Sequence, residues 1–141
     1  HGRTLLNQAV EKEDVRIVRM VLEAETSIPD HFDVDTRTDG ISPLVRAILK
    51  NRVRITKMLL MSGADVDLRD GRKMTSLTHA CKEFCHTDIF RALVEYGVSP
   101  HIGLGGRLQV HHIVRRYEFS SSVDKLDLLL RCGADENLKD K

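Results

Sequence analysis

Apolar residues recur along this chain at helical spacing, in short runs that come in pairs. Leu44, Ala47 and Ile48 fall at i, i+3 and i+4 and make one apolar stripe. A few residues later Ile55, Met58, Leu59 and Leu60 make a second. Pro43 suits the first turn of the first helix, where its missing N–H costs nothing, and Ser42 before it is a fitting N-cap. Small residues, Ala9, Ala47 and Ala80, let paired helices approach closely. Three leucine-rich runs each end in a glycine: MLLMSGADVD (58–67), ALVEYGVSPH (92–101) and LLLRCGADEN (128–137). Gly63, Gly97 and Gly133 stand where a helix exits through a left-handed residue, at which a side chain with a Cβ costs about 1–2 kcal/mol.

The pairs repeat. Thr4, Ser42, Thr75 and Leu108 occupy equivalent positions, separated by 38, 33 and 33 residues. The first, longer step places extra residues in TSIPDHFDVDTRT (26–38), where a connection tolerates insertion. Repeat two reads Asp39, Gly40, Ser42, Pro43, Leu44 and Ala47, then Leu59, Leu60, Gly63, Ala64, Asp65 and Val66. Period and motif together resemble the ankyrin repeat family, whose unit runs roughly D-G-x-T-P-L-H-x-A-A, then L-L-x-x-G-A-D-V-N. Repeat three keeps Thr75, Leu77, Ala80 and Gly97 but has Ser76 for the proline. Repeat four keeps Gly106, His111, Gly133, Ala134, Asp135 and Asn137, with Leu108 and Gln109 for Thr-Pro. Repeat one keeps Thr4, Leu6 and Ala9 but has Glu25 where the glycine belongs, which predicts a different helix exit. The resemblance implies one all-α domain over 1–141, an ankyrin-repeat solenoid of helix–turn–helix units with projecting finger loops. The repeats fall at roughly 2–38, 39–70, 71–102 and 103–141. DLRDGRK (67–73) and HIGLGGR (101–107) are the expected fingers.

Composition agrees with helices. Aromatics are 4% and Trp is absent, so Leu, Val, Ile and Ala must build the core. Three cysteines, an odd number in a core-rich chain, are not a disulfide framework and point to a reducing, cytoplasmic or nuclear setting. No apolar run approaches the ~18 residues of a membrane span. The chain opens on His1, and GADENLKDK at its other end leads toward a further finger. A longer protein, with the array continued or capped beyond Lys141, is therefore expected.

The net charge of +1 exerts no strong pull on nucleic acid, but its distribution is uneven. Residues 1–40 hold 5 basic and 9 acidic side chains, whereas 41–73 hold 8 and 3.

Rival chemistries are weaker than binding. His79, Cys81, Cys85 and His86 offer four soft ligands within eight residues, a zinc-like set. His79 and Cys81 lie two apart on a helix and so do not share a face, and Cys81 fits a small buried position. GLGGR (103–107) lacks the spacing of a phosphate-binding loop. No metal, cofactor or catalytic residue is expected, and nucleic acid would want interleaved aromatics that are absent.

The resemblance implies a protein-interaction module that grips its partner along a concave groove, as an adaptor or the substrate-recognition array of a ubiquitin ligase. The alternative is a regulatory segment of a larger enzyme or ion channel. The residue after the motif histidine position, Gln8, Arg46, His79 and His112 in turn, faces that groove in the family. Lys50 and Arg115 follow on the same helices, and Arg72 and Lys73 lie at a finger tip. Arg46, Lys50, Arg72, Lys73, His79, His112 and Arg115 are thus the expected partner-binding residues, and an acidic or phosphorylated protein segment the expected ligand.

Overall fold

The structure, a computed structural model, describes residues 4–25, 33–81, 84–98 and 120–131. Helices α1 (Leu5–Glu11), α3 (Pro43–Leu49) and α5 (Ser76–Ala80) begin alike. Thr4, Ser42 and Thr75 stand before them in extended conformation. Their side-chain oxygens accept the N–H of Asn7, Val45 and Thr78 at 3.2, 3.3 and 3.3 Å. Longer helices α2 (Val15–Glu25), α4 (Val53–Met61) and α6 (Thr87–Glu95) follow, and α7 (Ser120–Arg131) comes last. Glu13 and Asn51, at φ 60° and 58°, turn the chain between the two helices of the first and second pairs. Such short connections force the helices of a pair to pack antiparallel.

Two layers result. α1, α3 and α5 lie side by side, and α2, α4, α6 and α7 form the second layer behind them. The apolar stripes meet between the layers: Leu44, Ala47, Ile48, Ile55, Leu59 and Leu60 are buried with Leu6, Val10, Leu77, Ile89 and Leu93. Among the described residues there is no strand, only one isolated bridge between Thr38 and Ile41. This is the all-α solenoid of the sequence reading.

Fingers project where an inner helix is about to begin. Asp39 and Gly40 have φ of 55° and 76°, both left-handed, as a tight two-residue hairpin turn needs. The second finger is one residue longer. Asp70 N–H bonds Met74 O at 2.9 Å around Gly71, Arg72 and Lys73, with Lys73 at φ 61°. Gly71 N–H donates to Gly40 O at 3.0 Å, so the fingers are tied edge to edge. The expected finger at 101–107 lies outside the described residues.

Polar bonds also join neighbouring helix pairs. Asn51 Oδ1 accepts from His86 N–H at 2.7 Å, and its Nδ2 donates to Phe84 O at 3.1 Å. The Asp35 carboxylate accepts Asp65 N–H at 3.1 Å, although burial raises its pKa above the ordinary value.

Gly63 and Gly97 end α4 and α6 at φ 85° and 82°. A Cβ on Gly63 would meet nothing within 4 Å, so the demand there is on the backbone alone. Gly63→Val is therefore expected to destabilise the chain by about 1–2 kcal/mol through left-handed strain. Ser62→Ala next to it should be nearly silent, and comparing the two melting temperatures checks the assignment.

Candidate functional site

The inner helices and the fingers form one continuous side of the array, and most of the binding residues read from the sequence belong to it. Arg72 and Lys73 are exposed on the second finger. Beneath them a cleft of about 200 Å³ opens between the two fingers, lined by Ile41, Leu49, Arg72 and His79 among others. Leu49, 47% exposed, offers it an apolar wall.

Arg46 and Lys50 are on this side but are already engaged. Arg46 Nη1 donates to Glu11 Oε2 at 2.8 Å, and its Nη2 to Thr38 O at 3.1 Å. Lys50 Nζ lies 3.3 Å from Glu11 and 3.5 Å from Glu13, which Arg52 also holds. Arg46 and Lys50 hold the Glu11 carboxyl below its usual range. Part of the basic block and part of the acidic first repeat thus meet beside the α1–α3 contact.

His79 differs more sharply from its expected place. Its side chain is only 4% exposed, and Nε2 sits 2.8 Å from Asp70 Oδ2, a carboxylate equally buried. Asp70 Oδ1 accepts the N–H groups of Arg72 and Met74 at 2.8 and 2.9 Å. Burial pushes the Asp70 carboxyl up, but Met74 N–H, His79 and Arg72 N–H together outweigh it and leave the pKa below the ordinary value. Asp70 is therefore ionised at neutral pH and only accepts, so His79 Nε2 donates. The expectation of a groove-facing His79 open to a partner is corrected: the ring props its own finger. Arg46, its counterpart in the preceding repeat, does the same through Thr38 O. His112 and Arg115 lie outside the described residues.

The zinc-like set is dispersed. His79 turns to Asp70, Cys81 is buried, Cys85 Sγ faces His86 O at 3.8 Å, and His86 Nδ1 accepts Asp88 N–H at the start of α6 at 3.3 Å. Burial pushes the Cys81 thiol up to about 12, with Lys125 lowering it and Cys85 raising it, and burial also raises Cys85. These are unreactive thiols.

One residue of this cluster escaped the sequence reading. Lys125 is 1% exposed, with its ammonium 6.0 Å from the centre of the Phe90 ring. Burial lowers its pKa, while Cys85 and Cys81 raise it. The signal was available: Lys125 lies eight residues before Gly133, as Ile89 lies eight before Gly97 and Ile55 eight before Gly63. Register from the glycine places a lysine in a core slot.

Stacked helical hairpins with fingers on one side define a solenoid binding scaffold. The family profile for "Ankyrin repeats (3 copies)" matches residues 1–70. Over 103 residues, 70% of this chain, it is 37% identical to human and 36% identical to mouse ankyrin repeat domain-containing protein 63. The chain spans about a quarter of the length of these curated relatives, 26% and 25%. Among solved structures, the ankyrin repeat domain of Bcl-3, a member of the IkappaB protein family, superposes with TM-score 0.73 at 23% identity. That match covers 92% of this chain and 52% of that one. An ankyrin repeat domain from Acinetobacter baumannii gives TM-score 0.77 at 20% identity, covering 95% and 71%. The chain belongs to the ankyrin repeat family. Ankyrin repeats are generally protein–protein interaction modules, and their homologues are typically non-enzymatic. Among the described residues no helix is long and apolar enough to cross a membrane.

Two expectations test the buried polar groups. Asp70→Ala should cost about 1–3 kcal/mol at neutral pH, the range for leaving buried donors unpaired. Because the folded Asp70 pKa is depressed, its contribution is present above the unfolded value of about 4 and is lost as pH falls through the folded value. The stability gap between native chain and variant should therefore narrow in acid denaturation curves below about pH 4.

The Cys81 thiol has the opposite sign. Its folded pKa is raised, so its contribution is intact below the unfolded value of about 8.5 and is lost as pH climbs toward about 12. Urea melts from pH 7 to 10 should show the native chain losing stability in base faster than Cys81→Ala.

Proposed function

We propose that this chain is a partner-recognition array, of the adaptor kind, that receives an acidic or phosphorylated protein segment on its finger side. The observation that carries this reading is the second finger. Arg72 and Lys73 are exposed there above the cleft, and neither is bound to a carboxylate among the described residues. Arginine suits forked contact with a carboxylate or phosphate, and Leu49 below gives an apolar neighbour to the same segment. The Asp70–His79 pair holds the finger in place, so little order must be imposed on binding. In the sequence of the next repeat, His112 holds the position that matches His79, with Arg115 following it. Arg46 and Lys50 contribute in a second way. Glu11 holds both, so an incoming acid must compete with Glu11 for them.

The test needs the partner, recovered by proximity labelling, and its affinity for four proteins. Arg72→Glu with Lys73→Asp should weaken binding by about tenfold and slow association, since exposed charges act mainly on encounter. Aspartate is chosen at position 73 because it tolerates a left-handed backbone. Glu11→Gln should strengthen binding by releasing Arg46 and Lys50. Arg91→Glu, in an exposed pair 3.7 Å from Asp88 on α6, should change little. Equal effects of the finger pair and Arg91 would remove the finger side from the interface.

A further inference from the structure

We infer that the groove between α2 and α4, on the side of the molecule away from the fingers, is a second docking site, for an acidic peptide segment with one bulky apolar anchor. The inference is independent of the finger-side reading.

The groove has two halves. The upper half is an open cleft of about 510 Å³ lined by Lys12, Arg16, Arg19 and Arg54, with Glu13, Asp14 and Val15. The lower half, about 380 Å³, is lined by Leu22, Met58 and Met61, with Glu23 and Ser62. Arg19 lines both, so the two halves adjoin. Met61 is 75% exposed, and Met20 on the same helix as Arg19 is 67% exposed.

The charge here is free in a way that Arg46 and Lys50, held by Glu11, are not. Among the described residues Lys12, Arg16, Arg19 and Arg54 pair with no carboxylate. The acids beside them are committed elsewhere. Asp14 Oδ1 accepts Arg16 and Ile17 N–H at 2.9 and 3.2 Å, and Glu13 is held by Lys50 and Arg52. The start of α4 has no side-chain cap, so its first N–H groups add positive potential beside Arg54.

Four free cations above an apolar slot select for an acid and an apolar group held at a fixed separation. From Arg16 to Leu22 is six residues along α2, about 9 Å at 1.5 Å each. An extended peptide covers that in about three residues. The fitting ligand therefore carries two or more Asp or Glu residues and a Leu- or Met-sized side chain about three positions away. Methionines at the slot suit such a ligand, because their flexible thioethers repack around different shapes. A protein segment fits better than an anionic membrane. The apolar residues line a cleft, and Glu13, Asp14 and Glu23 at its edges would meet the lipid charge.

Fluorescent peptides with an acidic pair and one leucine, separated by one to eight Gly/Ser residues, titrated onto the 141-residue chain would test this. Affinity should peak near a spacing of three. Arg16→Glu with Arg54→Glu should lower it by about tenfold, without loss of melting temperature, because an acid near a helix start is favourable. Met61→Gln should flatten the spacing dependence while leaving most of the salt dependence. Arg72→Glu with Lys73→Asp should have no effect, which separates this site from the finger side. Affinity indifferent to spacing would overturn the proposal, as would a loss on the finger variant alone. So would tight binding to phosphatidylserine vesicles with no peptide in the series bound.

Discussion

A helical hairpin of two or three turns has more apolar surface than its own two helices can cover, so each pair must be covered by its neighbours. Every other feature here answers to that constraint. Leu44 and Leu77 are fully buried between layers only because α1, α3 and α5 stand side by side, and the alanines at 9, 47 and 80 keep them close. Apolar contact alone does not fix register, since leucines slide past one another at small cost. The bonds between neighbours do. Gly71 N–H on Gly40 O, Asn51 on Phe84 and His86, and Asp65 N–H on Asp35 each have one geometry, and each crosses from one pair to the next. Asn7, at the motif histidine position, adds another through Nδ2 on Thr36 O at 2.8 Å.

Much of this was legible because it is local. Ser42, Pro43 and Thr75 announce helix starts by backbone chemistry that depends on a few residues, and Gly63 and Gly97 announce helix ends. The apolar stripes follow from periodicity, and Leu44, Ala47 and Ile48 are buried as their spacing requires. Side-chain direction at the candidate site was not legible. A residue facing the groove can reach a partner or reach back to its own finger, and periodicity treats both alike. Arg46 and His79 reach back, because Thr38 O and Asp70 Oδ2 lie within their length. Asp70 stands in the same finger as Arg72 and Lys73, and nothing in a single repeat shows that its carboxylate turns inward.

The charge pattern leaves side-chain partners open for a related reason. Nine acids in residues 1–40 and eight bases in 41–73 look like a surface dipole. Folding places the two blocks in adjacent repeats, so part of the asymmetry goes into the Glu11–Arg46, Glu11–Lys50 and Glu13–Lys50 contacts. Exposed pairs of this kind stabilise little. Their consequence is that the cations most obvious in the sequence are the least available. Among the described residues, cations that pair with no carboxylate include Arg72 and Lys73, and Lys12, Arg16, Arg19 and Arg54 behind.

Lys125 shows how strongly the repeat frame governs a side chain. A lysine has no intrinsic preference for a core slot, and burial disfavours its charged form. It is placed there because α7 must present Leu129 to α6 at the same register as Leu59 and Leu93 in earlier pairs. With the leucine fixed, the residue four positions earlier points the same way. The Phe90 ring and the two thiols lie beside the ammonium. In a repeat protein the position in the unit decides what is buried, and the residue found there must then make its own local peace with burial.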